Sequence, residues 1–379
     1  MENNKNLSKW IWVVGIAVIL VLVISTSSNK LVNNTPIKIG FVGPLTGPLA
    51  NPGEFIKNSF ELANLNNSTL SNGKKITVVF EDDKGDVKES VTAATKLLNV
   101  DKVDIVVSAI NGGSMLAISK LTEPEKKILI SPVASAVAIS EAGDYVFRIS
   151  ASANLFAEKS AEKVKELKFD NVAILAETTQ YAIDWKDAFV KNFDGTITSV
   201  ETFNSGDKDV KSQLLKIKAT KPQAIILVAQ NPVSASLIVK QASELNTGAQ
   251  LIGNEAFFAR GAVRGLMGKS AEGLLILTYK YSTDSIQMKA LLSDYKVKFN
   301  KDLSEEMYGA LGYDVYNVLY DALNVCKTAD SDCLANYLYG IKNKDGASGK
   351  FSIDNKGDGI RDFMWWKVQN GALVPQDQV

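Results

Sequence analysis

Beyond residue 36, short runs of β-branched and apolar residues alternate with longer stretches whose apolar side chains recur every three or four positions. The first kind reads as buried strands, the second as amphipathic helices. KIGFVG (38–43) predicts a strand. GEFIKNSFELANLNN (53–67) predicts a helix, with Phe55, Ile56, Phe60, Ala63 and Leu65 broadly at helical spacing. Strands follow at 76–82, 103–109 and 127–131, with helices at 87–99 and 114–123 between them. The pattern restarts near VFRISAS (146–152). Helices at 155–168, 181–193, 209–220 and 232–245 then alternate with strands at 172–177, 197–203, 224–230 and 250–254. Such alternation predicts βαβ units and a mostly parallel sheet in each of two α/β halves of similar size. The C-terminal part differs: helices at 286–300, 304–326 and 331–343 precede KFSID (350–354) and FMWWKV (363–368). Those last two runs read as antiparallel strands joined by the NKGDG turn.

The N-terminus breaks the alternation. Lys5 and Lys9 precede WIWVVGIAVILVLVIS (10–25), which carries no charge. As a helix it spans roughly 24 Å at about 1.5 Å per residue. It is short for a transmembrane helix and long for a signal-peptide core. Either reading exports the rest of the chain and leaves the lysines inside. STSS (25–28) offers small residues for cleavage, but no Ala-x-Ala pattern is present, so an uncleaved anchor over residues 1–27 is the expectation. No Cys follows the apolar run, which excludes lipoprotein anchoring. Residues 28–36 read as a polar tether.

Composition narrows the function classes. The 379 residues are 46% hydrophobic and 22% charged, enough for two lobes each with a core. Lys plus Arg equals Asp plus Glu, 42 against 42, with no basic face to suggest nucleic acid. The chain has no His, the commonest general base and metal ligand. It has two cysteines, Cys326 and Cys333, around KTADSD. Export makes a local disulfide the expectation, pinning a helix–helix corner. GKS (268–270) is no phosphate loop, because the required first Gly falls on Val263. DNKGDG (354–359) is no calcium loop, because Lys356 fills a ligand position. No metal or cofactor is expected; a catalytic site made only of Ser, Lys, Tyr and carboxylates stays open, but nothing points to one.

In open parallel sheets, ligands bind beyond the carboxyl ends of strands. Three such loops in the first half are GPLTGPLANPG (43–53), SAINGGS (108–114) and SPVASA (131–136). They are rich in Gly, Ala, Ser and Asn and contain no Lys or Arg. Exposed backbone N–H groups, a hydroxyl and a helix N-terminus make a seat for a carboxylate. The plainer reading is ordinary tight turns. The second half offers AETTQYAID (176–184), AQNPVS (229–234) and GNEAFF (253–258). Glu255, directly after a strand in apolar surroundings, can take an ammonium or can be a salt-bridge partner. Tyr181 can wall a pocket or sit in the core. A carboxylate seat facing an acid and an aromatic is what a zwitterionic amino acid needs.

These residues carry a resemblance. IKIGFVGPLTGPLA (37–50), VVFEDDKGD (78–86), AATKLLN (93–99), ILISPVASA (128–136) and VFRIS (146–150) resemble the type I periplasmic binding proteins, leucine/isoleucine/valine-binding branch. So do AEGLLI (271–276), YGALGYDVYNVL (308–319) and GASGKFSIDNKGD (346–358). The resemblance implies two lobes that close on a ligand, joined by three hinge crossings near 150–153, 277–283 and 345–350. Lobe I is then 37–151 with 281–346, and lobe II 152–280 with 347–379. It implies that Ala134 and Ser135 hold the ligand carboxylate, Glu255 its ammonium, and that Tyr181 covers it. This chain departs from the family in several places. Gly112 stands where Ser is usual, with Asn111 or Ser114 nearby as substitutes and Gly113 beside them among the expected ligand-binding residues. Pro52 stands where some relatives place an aromatic, and Gln230 and Asn231 where leucine-type proteins have tyrosines. The implied function is capture of an amino acid, branched-chain or similar, for delivery to the permease of an ABC importer by a monomer held at the membrane through residues 10–27. The alternative is a sensory ectodomain binding a small amino acid, amide or carboxylate, disfavoured because no output domain precedes Val379.

Overall fold

The structure, a computed structural model, describes residues 35–47, 49–230, 232–258 and 267–376. The expected anchor over 1–27 and most of the tether lie outside these residues. Among the described residues no helix is long and apolar enough to cross a membrane.

Five strands form the first sheet: β1 (Ile37–Gly43), β2 (Ile76–Asp82), β3 (Ile105–Ser108), β4 (Leu129–Ser131) and β5 (Val146–Arg148). All pair in parallel, in the order β2-β1-β3-β4-β5. Their connections are α1 (Ala50–Asn66), α2 (Val87–Lys96) and α3 (Gly112–Thr122). Ile39, Phe41, Ile105, Val107 and Ile130 are fully buried, as their unbroken apolar runs require. The chain then passes through 149–152 into α4 (Ala153–Glu166).

The second sheet has parallel strands β6 (Asn171–Glu177), β7 (Thr196–Phe203), β8 (Ala224–Val228), β9 (Gln250–Gly253) and β10 (Leu275–Tyr279). The helices between them are α5 (Gln180–Asn192), α6 (Lys211–Ala219) and α7 (Pro232–Glu244). After β10 the chain returns through α8 (Ile286–Phe299), α9 (Glu306–Cys326) and α10 (Ser331–Tyr339). The helix α9 lies so close on α1 that a Cβ on Gly312 would stand 2.5 Å from the Ile56 carbonyl oxygen.

The strand pairing expected at the C-terminus is corrected. KFSID does not pair with FMWWKV. Three short strands, β11 (Lys344–Gly346), β12 (Gly349–Ile353) and β13 (Gly359–Arg361), form an antiparallel sheet of their own. The Asp354–Asp358 turn joins β12 to β13, with Asp354 Oδ1 accepting from the N–H groups of Lys356 and Asp358, both at 2.9 Å. Then β14 (Phe363–Gln369) and β15 (Ala372–Gln376) complete the second sheet in the order β15-β14-β10-β9-β8-β6-β7. The cause is Arg361, buried between the rings of Tyr279 and Phe351. Its guanidinium donates to the carbonyls of Ile149 (2.6 Å) and Ser348 (3.0 Å). That pins β13 against the 149–152 passage and sends the following residues along β10. The Tyr279 hydroxyl accepts from the Ala151 N–H at 2.9 Å, so the passages between the sheets are tied to each other.

Cys326 and Cys333 form a disulfide with Cα atoms 5.9 Å apart, joining the end of α9 to α10. For so short a loop, closure entropy contributes roughly 2–3 kcal/mol. Replacing both by Ser is therefore expected to lower the unfolding free energy measured by chemical denaturation by that amount and to leave ligand affinity unchanged.

Candidate functional site

Loops at the carboxyl ends of both parallel sheets face each other across a cavity of about 400 Å³. That is within the range of small-molecule sites. The first sheet contributes the turns after β1, β2, β3 and β4, the second those after β6, β7, β8 and β9. Asp82 ties two of these turns together: Oδ1 accepts from the N–H groups of Leu45 (2.9 Å) and Lys84 (2.9 Å), and Oδ2 from the Thr46 hydroxyl (2.6 Å).

The turn after β4 is built by Ser131, whose hydroxyl accepts from the N–H of Val133 (3.3 Å) and Ala134 (3.0 Å). Ala134 is fully buried and does not line the cavity. Its N–H is engaged by Ser131, and its carbonyl accepts from the Ser150 hydroxyl at 3.0 Å. The carbonyl of Ser135 accepts from the Ala153 N–H at 2.8 Å. No peptide here is cis. In a trans peptide the C=O and N–H point in opposite directions. With the carbonyls of Ala134 and Ser135 drawn back into the protein, the N–H groups of Ser135 and Ala136 point the other way, and both residues line the cavity. These two N–H groups have no hydrogen-bond partner among the described residues.

At the start of α3, Asn111 acts as the N-cap, its Oδ1 accepting from Gly113 N–H (2.9 Å) and Ser114 N–H (3.4 Å). Asn111, Gly112 and Gly113 all line the cavity. Ser114 is buried, and its hydroxyl accepts from Ser90 at 2.7 Å. Gly112 is required by packing: a Cβ there would stand 2.6 Å from the Cβ of Ala136.

Across the cavity, Glu255 opens a short 3-10 turn, Glu255–Phe258. Its Oε1 accepts from the Tyr181 hydroxyl at 2.7 Å, and its Oε2 is buried without a hydrogen-bond partner. Asn254 Nδ2 donates to the Tyr181 oxygen (2.9 Å) and the Ala229 carbonyl (2.8 Å), fixing the ring. Burial raises the Glu255 carboxyl above its ordinary value, and hydrogen bonds from Tyr181 and Asn254 offset this only in part. Burial and the neighbouring Glu255 charge push the Tyr181 phenol well up, so it remains a donor.

Gln230 lines the cavity, and its N–H donates to the buried Glu177 Oε2 at 2.6 Å. Asn231 lies outside the described residues. Pro52 is buried in the first turn of α1 and does not line the cavity. Lining residues not singled out from the sequence include Tyr308 and Lys84. Tyr308, on α9, closes one side, and Lys84 stands exposed in the turn after β2, a loop the sequence reading did not consider.

Asp184 of α5 reaches across the cleft. Its Oδ2 accepts from the Val137 N–H at 3.0 Å, while Gln180 holds Oδ1 at 2.7 Å. A bond of this kind is worth about 0.5–1.5 kcal/mol. Asp184→Ala is expected to weaken ligand binding roughly 2- to 13-fold by titration calorimetry, because this bond ties together two elements that face each other across the cavity. An unchanged Kd would contradict this.

A family model described as periplasmic binding protein matches residues 36–372. The chain belongs to the periplasmic binding protein family. A Leu/Ile/Val-binding protein of Rhizobium johnstonii is 27% identical over 352 residues, which cover 89% of this chain and 93% of that relative. Among solved structures, a leucine-binding protein of Thermotoga maritima superposes with a TM-score of 0.81 at 24% identity, over 90% of this chain and 98% of that one. A solute-binding protein of R. palustris in complex with 4-hydroxybenzoate gives 0.82 at 21% identity, over 90% and 96%. At these identities the structural likenesses establish the two-lobed fold of the family and no more.

Proposed function

We propose that this periplasmic binding protein captures an amino acid outside the cytoplasm and delivers it to the permease of an ABC importer. The observation that carries the reading is Glu255: a carboxylate at the cavity wall with one oxygen buried and unpartnered. A buried anion without a partner is costly, and a ligand ammonium supplies the missing one. Opposite it, the N–H groups of Ser135 and Ala136 and the Ser135 hydroxyl receive the ligand carboxylate. Each charge-assisted hydrogen bond contributes about 1.5–3 kcal/mol. Tyr181 and Tyr308 wall the ligand, and Asn111, Gly112, Gly113, Gln230 and Lys84 shape the remaining space. Pro52 and Ala134 act from behind the wall. The family binds solutes, and we read this member as releasing its ligand chemically unchanged. The apolar segment 10–25 holds it at the outer face of the membrane.

Relatives named for Leu, Ile and Val make aliphatic amino acids the first ligands to try. The 4-hydroxybenzoate complex of a structural neighbour sets the competing class, carboxylates without an ammonium. A thermal-shift screen of the twenty amino acids against benzoates separates them. A ligand at about 100 times its Kd adds roughly 2.7 kcal/mol of stability. Shifts with benzoates alone would refute the proposal.

A further inference from the structure

We infer that Arg148 positions and polarises the carboxylate seat from behind, without touching the ligand. The inference rests on the amino-acid reading of the cavity. Arg148 is fully buried at the end of β5, and each of its three guanidinium nitrogens donates a hydrogen bond. Nε donates to Asp358 Oδ1 at 2.7 Å, and Nη2 to the Ser140 hydroxyl at 2.8 Å. Nη1 donates to the Ala136 carbonyl at 2.8 Å and reaches the Ala134 carbonyl at 3.5 Å. Ser140 in turn donates to Asp358 Oδ2 at 2.6 Å.

A buried ion pair is weak evidence for stability, since well-packed apolar residues often do as well. What a guanidinium does here that an apolar side chain cannot is grip the carbonyls of the loop whose N–H groups face the cavity. The Ala134 carbonyl and the Ser135 N–H belong to one peptide. Ser150 holds the Ala134 carbonyl at 3.0 Å and Arg148 reaches it at 3.5 Å; together they draw it back, which turns the Ser135 N–H outward and strengthens it as a donor, because chained hydrogen bonds polarise one another. The stronger Arg148 bond, to the Ala136 carbonyl, anchors the far end of the same loop. The charge itself lies behind the peptides that meet the ligand's carboxylate. The Arg148–Asp358 pair therefore presents its positive end to a loop that carries no cation of its own, and Asp358, in the turn between β12 and β13, fixes the guanidinium in place. Arg148 is a positioning residue, and its effect is specific to the ligand's negative end.

The test compares L-leucine with L-leucinamide, which keeps the ammonium and lacks the carboxylate; if leucine is not the ligand, the amino acid with the largest thermal shift and its amide replace them. Arg148→Met combined with Asp358→Leu removes the pair without leaving a lone buried charge, and folding is checked by the melt of the unliganded protein. The preference for acid over amide is expected to fall at least about tenfold. Arg148→Lys, which keeps a charge beside Asp358 but cannot serve both carbonyls, is expected to lose at least about threefold, and it carries the test should the double variant not fold. A preference within about twofold of the unaltered protein in a folded variant would overturn the inference and leave the amino-acid reading standing. No preference for acid over amide in the unaltered protein would remove the seat itself, and both readings with it.

Discussion

Glu255→Gln is expected to weaken amino-acid binding by about 1.5–3 kcal/mol, roughly 10- to 150-fold. The substitution keeps the shape of the side chain and its bond to Tyr181 but removes the charge that meets the ammonium. The pH dependence gives a second reading of the same group. Burial raises the folded-state pKa of Glu255 above its ordinary value. In the empty protein, a raised carboxylate pKa favours the folded state below the unfolded-state pKa. That contribution is lost as pH rises through the folded pKa. The ligand needs the ionised form. Affinity is therefore expected to fall as pH falls toward the raised pKa, and ligand-induced stabilisation to be larger at neutral than at acid pH. Glu255→Gln is expected to flatten both dependences. Titration calorimetry across acid to neutral pH checks this, and equal slopes in both proteins would sink the assignment.

The second large effect runs against family expectation. The family resemblance implies Ser where this chain has Gly112, so Gly112→Ser looks like a restored ligand hydroxyl. The geometry points the other way. A Cβ at 112 would stand 2.6 Å from Ala136 Cβ and 3.2 Å from Ala136 N, and that N–H is one of the two unpartnered donors at the cavity wall. The backbone of the 134–136 loop has to shift, and overpacking of this kind costs about 1–3 kcal/mol. Gly112→Ser is expected to lower both the melting temperature and the affinity. Adding Ala136→Gly removes the closest contact and is expected to recover part of each. Tighter binding by Gly112→Ser alone would show that the loop has more freedom than the structure gives it.

Most of the fold was legible because buried parallel strands and amphipathic helices leave different periods in the sequence. β1, β2, β6 and β8 lie where their apolar runs placed them. The pairing of β12 was not legible. Its partner β13 is three residues long and includes a buried Arg, so no apolar run marks it. Only Arg361, stacked on Tyr279 and bonded to Ile149, shows where the chain turns, and those contacts join residues far apart in sequence.

The site was legible in part for the same reason. Glu255 stood out as an acid at a strand end in apolar surroundings, and Ser135 as a hydroxyl in a loop of small residues. Ala134 lies in the loop that borders the cavity, but its backbone is engaged by Ser131, Ser150 and Arg148, and Ser135 and Ala136 line the cavity. Tyr308 was hidden because a helix periodicity marks which face is buried without saying whether core or cavity covers it. Asn111 looked like a ligand group, yet its side chain already caps α3.

The most direct test of the zwitterion site is a calorimetric comparison of L-leucine, 4-methylpentanoate and 4-hydroxybenzoate on the unaltered protein. The first two differ in the ammonium alone. Binding of leucine at least about tenfold tighter than methylpentanoate, with hydroxybenzoate weaker still, is the expected result. Methylpentanoate or hydroxybenzoate binding as tightly as leucine would contradict the role given to Glu255.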